Sequence, residues 1–165
     1  MASAPAPAPA TAQASAPDLT SLVDIESIPW ADFGGGIELK LLRVGAADGV
    51  NTILIRFAPG VQLPTHKHFG PVQAYTLAGS WHYLEYPWVA TAGSFVYEPV
   101  GTTHTLRVPD DNTEPTVIFF TIANGMVFLD DAGTPLFVQD GQSIAEAYCG
   151  WLDAHGVAWP EGILP

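Results

Sequence analysis

The amino-acid sequence predicts an all-β sandwich or barrel finished by one short C-terminal helix, and three observations carry that expectation. Short β-branched and aromatic runs follow one another through the middle of the chain, turn residues separate them, and a single stretch near the C-terminus has a helical period. The composition agrees: 48% of residues are hydrophobic and 13% charged, while 16 Gly and 15 Pro supply the turns. A length of 165 residues suits one domain.

The opening MASAPAPAPATAQASAP alternates Ala with Pro and has neither the positive start nor the apolar core of a secretory signal, so residues 1–18 read as a polyproline-like, disordered tail ahead of one domain over 19–165. Residues 19–33 mix apolar and polar side chains, and Ile28-Pro29-Trp30 reads as an extended lead-in arm. Strands are expected at 37–44, 51–57, 72–77, 80–86, 94–98, 104–108, 116–122, 126–130 and 135–139. Between them lie Ala-Pro-Gly (58–60), Leu-Ala-Gly (77–79), Pro-Asp-Asp-Asn (109–112), Asp-Ala-Gly (131–133) and similar turns. The helix is expected over 143–154, with Ser143 as its cap, Glu146 as capping-box partner, and Ile144, Ala147, Tyr148 and Trp151 on the stripe that closes one side of the barrel. No internal repeat supports a solenoid or propeller.

Charge removes whole classes of partner. Five Lys and Arg against 17 Asp and Glu leave a net charge of −12, a field that repels nucleic acid and anionic membranes. The sequence has no apolar run long enough for a spanning helix. The single Cys149 cannot build a disulfide framework, which fits a reducing, cytoplasmic location. On the helix it is expected to be a buried small hydrophobe rather than a nucleophile.

His66-Lys67-His68 puts two imidazoles at i and i+2, on one face of an extended strand, where both rings can reach one point. Alone, such a pair also fits surface or packed histidines. His104 adds a third imidazole, and the residues around all three resemble the two cupin motifs. The first reads Gly60-VQLPT-His66-Lys67-His68-FGPVQAYTLA-Gly79, and the second Gly93-SFVYE-Pro99-Val100-Gly101-TT-His104-TLR-Val108. The resemblance implies a double-stranded jelly-roll β barrel with a metal on His66, His68 and His104. Two positions depart from it: the motif glutamate falls on Val72 or Gln73, and the closing Asn is Val108. Three neutral imidazoles then leave a divalent metal its full charge and up to three open positions. Donor type alone admits iron, zinc, nickel, manganese or copper.

Glu98 is the one carboxylate nearby. The two-residue period puts it on the face of Ser94 and Val96, opposite Phe95 and Tyr97. It reads either as a catalytic base or hydrogen-bond partner just behind the metal ligands, or as a solvated strand-end carboxylate.

The stretch from Gln73 to Leu106, and IANGMVFLDDAGTPL (122–136), resemble the three-histidine dioxygenases that cleave carbon–carbon bonds, the 2,4'-dihydroxyacetophenone and acetylacetone dioxygenases. That likeness implies iron(II), O2 and a ketone substrate, with cleavage of an aromatic α-hydroxyketone or a β-diketone. It spans about residues 28–140. Candidates for the wall of the substrate cavity are Tyr75, Trp81, Tyr83, Phe95 and Phe119, each of which also fits plain core. Gln73 either orients a ligand or packs; His82 and His155 read as ordinary structural or surface residues. The alternatives are a zinc-binding sensor module of the anti-sigma-factor type, or another cupin enzyme such as a quercetinase-like dioxygenase. By analogy with cupins, a homodimer or homotetramer is expected.

Overall fold

The computed structural model describes residues 21–165, so the Ala/Pro-rich tail expected at 1–18 lies outside the described residues. After a single 3-10 turn (Ile25–Ser27) the chain forms β1 (Ala31–Gly34), β2 (Ile37–Arg43), β3 (Val50–Phe57), β4 (His66–His68), β5 (Val72–Ala78), β6 (Ser80–Tyr83) and β7 (Ala90–Thr91). There follow β8 (Phe95–Glu98), β9 (Thr103–His104), β10 (Leu106–Arg107), β11 (Thr116–Ala123), β12 (Met126–Leu129), β13 (Pro135–Gln139) and helix α1 (Gly141–His155). One sheet runs β1-β2-β3-β11-β5-β8, a second β13-β12-β4-β9, and a third β10-β6-β7. Named strands pair antiparallel, and β11 is inserted between β3 and β5, the non-local pairing of a jelly roll. The predominantly β architecture with one C-terminal helix is the one expected. Among the described residues no helix is long and apolar enough to cross a membrane.

Alternation explains which side chains fill the barrel. On β11, Thr116, Ile118, Phe120 and Ile122 are buried, and on β5 Val72, Ala74 and Thr76, so the intervening residues face outward. Each fully buried Ile or Phe contributes about 1.5–3 kcal/mol. At Gly79 the backbone bends with φ +72, and a Cβ would stand 2.6 Å from Thr116 Oγ1, so only glycine fits between β5 and β6.

His66–His68, read as extended, is strand β4, held by pairing with β12 and β9 although it lacks β-branched residues. Other local readings change. The run expected at 104–108 is divided at Thr105, whose N–H donates to Glu85 Oε2 at 2.9 Å instead of to a neighbouring strand. The helix starts earlier than expected: Asp140 is its cap, accepting from Ser143 N at 2.8 Å, while Ser143 Oγ accepts from Asp140 N. Its buried stripe is Ile144, Tyr148 and Leu152, whereas Ala147 is exposed and Trp151 partly so. Cys149 is also partly exposed, its Sγ 3.8 Å from Asp153 Oδ2, because it sits one residue off that stripe.

The arm expected around Ile28-Pro29-Trp30 is tied to the barrel and the helix. Tyr148 Oη donates to Pro29 O at 2.7 Å, and the buried Lys40 donates to Ile25 O at 2.8 Å. Trp30 lies beneath Lys40 and Arg56, and Arg56 makes a two-pronged pair with Glu38 at 2.6 and 2.7 Å. Arm and helix both pack against β2.

Candidate metal centre

β4 lies between β12 and β9, with His66 opposite both Phe128 and His104 and His68 opposite Met126. Two-residue spacing points His66 and His68 inward together, and the pairing with β9 brings His104 to them. The ring centroids form a near-equilateral triangle of 5.0, 4.9 and 5.0 Å. All three rings are buried, and His68 Nε2 lies 3.1 Å from His104 Nε2. His66 Nδ1 is 3.1 Å from Pro64 O, so Nδ1–H donates to that carbonyl and Nε2 keeps the lone pair that can ligate a metal. Burial first, then the neighbouring imidazoles, lower the His66 pKa to about 4, so the ring is neutral at neutral pH, the form that ligates metal.

Glu98 comes closer than the sequence implied. Val72, at the position of the missing motif glutamate, pairs across β5 and β8 with Glu98. The carboxylate lies against the histidines: Oε2 is 2.9 Å from His68 Nε2 and 3.3 Å from His104 Nε2, while Oε1 accepts from Tyr83 Oη at 2.6 Å. The carboxyl group is 3% exposed, which rules out the solvated reading. Burial opposes its charge, but the contacts from His104 and His68, with the Tyr83 hydroxyl, outweigh burial and bring its pKa down to about 2. Burial, then Glu98, raises Tyr83 well above the ordinary phenol range, so Tyr83 remains a donor.

The arrangement fits a divalent cation. Glu98 Oε2 has no aligned hydrogen bond despite its burial, and donor atoms of the three histidines lie within 4.8 Å of one another. Two nitrogens each about 2.1 Å from one metal, at a right angle, are about 3.0 Å apart, close to the His68–His104 separation. His66, His68 and His104 could hold the metal through their inward nitrogens, with Glu98 beside them. Glu98 thus lies where a hydrogen-bond partner of the imidazoles was expected, in contact with His68 and His104.

A small apolar cavity of about 50 Å³ opens beside these groups, walled by Ile53, Leu106, Phe120, Ile122, Met126 and Phe128. Of the aromatic candidates only Tyr83 reaches it, its ring stacked on His104 at 3.6 Å. Trp81 is buried behind Tyr83, edge-on at 5.1 Å, and donates to Thr76 Oγ1; it is core. Gln73 and Tyr75 stand on the outer face of β5, Phe95 is 62% exposed opposite Tyr75, and Phe119 shares that outer face from β11. Parity accounts for all four: Val72, Glu98 and Phe120 point inward, so residues one or three positions away point outward. The sequence of β11 did not separate Phe120 from Phe119, since a threonine stands on each parity, Thr116 with Phe120 and Thr121 with Phe119. His82 faces Arg107 across β6 and β10, and His155 is an exposed helix-end residue against Trp151, as expected of ordinary histidines.

A family model described as the ChrR cupin-like domain matches residues 19–127, about two thirds of the chain and both histidine motifs. The chain belongs to this cupin family. Solved structures similar to this cupin include an RmlC-like cupin protein from Ralstonia eutropha, at 29% identity over 87% of this chain and 93% of that one, with a TM-score of 0.82. A protein of unknown function with a cupin-like fold from the same organism is 31% identical over 84% and 93% of the two chains, with a TM-score of 0.77. The acetylacetone dioxygenase of Acinetobacter johnsonii is 19% identical over 92% and 99%, with a TM-score of 0.65, and shares the fold. No curated protein matches this cupin.

Proposed function

We propose that this cupin is an iron(II)-dependent dioxygenase that cleaves a carbon–carbon bond in an aromatic α-hydroxyketone or a related β-diketone. The observation that carries the reading is a cluster of three buried imidazoles, two of which meet one buried carboxylate, beside an apolar cavity. Iron(II), when bound, supplies oxygen activation and a chelation point for the deprotonated ketone. Tyr83 occupies Glu98 Oε1, leaving Oε2 to take a proton from an enolisable substrate whose acidity a bound cation raises. The apolar side chains on the barrel side of the imidazoles lower the local dielectric and strengthen charge interactions at Glu98. For 2,4'-dihydroxyacetophenone the balanced reaction with O2 yields 4-hydroxybenzoate and formate.

The ChrR-type family match favours a second reading, in which the same groups hold zinc in a sensor module and turn nothing over. Anaerobic reconstitution with iron(II), followed by oxygen uptake with 2,4'-dihydroxyacetophenone, acetylacetone and a flavonol, separates the two. Uptake with the hydroxyketone or diketone, one O2 per substrate, is expected. Uptake with none of them, together with tight zinc retention, favours the sensor.

A further inference from the structure

The inner cavity is too small for the ring of an aromatic ketone: at about 50 Å³ it is a fraction of the size of the roughly 150 Å³ cavity that accepts benzene. A second pocket of about 210 Å³ lies on the other side of the Tyr83–Glu98 pair. Tyr83 and Glu98 line both spaces and so form the partition, and His104 is reached from the outer one. The outer walls are aromatic. Tyr86 and Trp88 stack with centroids 5.6 Å apart and planes 9° apart, and Trp88 is also held edge-on by Tyr83 and Trp81 at 5.7 and 5.8 Å. Tyr97, 57% exposed, also lines this pocket. Glu98 is the one charged side chain in the lining, on a chain already at −12, so a neutral ligand is favoured and a carboxylate product repelled.

We propose that this outer pocket is the binding site for the ring of a neutral, planar aromatic ligand, which stacks on Trp88 and Tyr86 and turns its polar end toward the Glu98–His104 partition. The site names the substrate class of the proposed dioxygenase and rests on that reading only for what happens after binding. A flat ring suits a wall of two near-parallel aromatic planes.

Zinc-loaded protein separates binding from turnover. With 4'-hydroxyacetophenone as the probe, intermolecular nuclear Overhauser contacts are expected from its ring protons to the Trp88 indole and Tyr97. Trp88→Ala, checked for unchanged zinc content, should weaken probe binding about tenfold, and benzoate should bind more weakly than the neutral probe. Contacts confined to Ile53, Ile122 and Phe128, unchanged binding in Trp88→Ala, or no binding to the parent protein would each overturn the outer site. Oxygen uptake by the iron-loaded protein tests the dioxygenase reading independently, so either can fail alone.

Discussion

Glu98 and its partners carry the residue-scale predictions. His104→Ala removes one corner of the imidazole triangle and should abolish metal retention, measured as metal per protein after desalting. Glu98→Gln keeps the shape and all three imidazoles but loses the negative charge. Iron should still be retained, with affinity about 10–100-fold lower, and turnover should fall about 100-fold or more; full turnover in this variant would remove Glu98 from the mechanism. Acidification of the metal-free protein follows from the same groups. His66 titrates near 4 when folded against about 6.5 unfolded, so the unfolded chain binds the proton first and stability is lost as pH falls through that window. Glu98, at about 2 when folded against about 4.3 unfolded, extends the loss below pH 4. Urea midpoints taken from pH 7 to pH 3 should decline continuously, and a flat profile between 6.5 and 4 would contradict a buried neutral His66.

Elements respond to different changes. The Asp140 carboxylate satisfies an otherwise orphaned N–H at the start of α1, and Asp140→Ala should cost about 1 kcal/mol in denaturant unfolding, whereas Glu146→Ala should not. Gly79→Ala would place its Cβ against Thr116, inside the hydrogen-bonded knot of Ser80, Asn112 and Thr116. The combined cost of the positive φ and the clash should be about 2 kcal/mol or more, read as a lowered urea midpoint. These two sites also mark what the chain discloses locally. Residues 140–143 contain two possible caps, Asp140 and Ser143, and a capping box can be drawn from either; the backbone decides by starting the helix at Gly141. The Leu-Ala-Gly turn, by contrast, was legible, because tight strand connections favour glycine at positive φ.

Metal binding should register in the stability of the whole molecule, since its donors come from β4 and β9, brought together only by folding. Zinc or iron(II) should raise Tm in proportion to ln of free metal, and a chelator should reverse the shift. A Tm indifferent to metal would mean that the three imidazoles do not bind it when folded.

The His-x-His pair and the all-β class were readable because they depend on the two-residue period, which belongs to the strand alone. The third histidine was readable through its motif spacing. What Glu98 touches was not, for it depends on the register of β5 against β8, set by how a whole sheet packs; one slip would have turned it to solvent. The same register sent Gln73, Tyr75, Phe95 and Phe119 outward. The sequence by itself determined the fold class, the three inward imidazoles and the absence of the usual glutamate; tertiary structure alone decided that a carboxylate from the neighbouring strand lies against two of those imidazoles, because cross-strand distance is a property of no single segment.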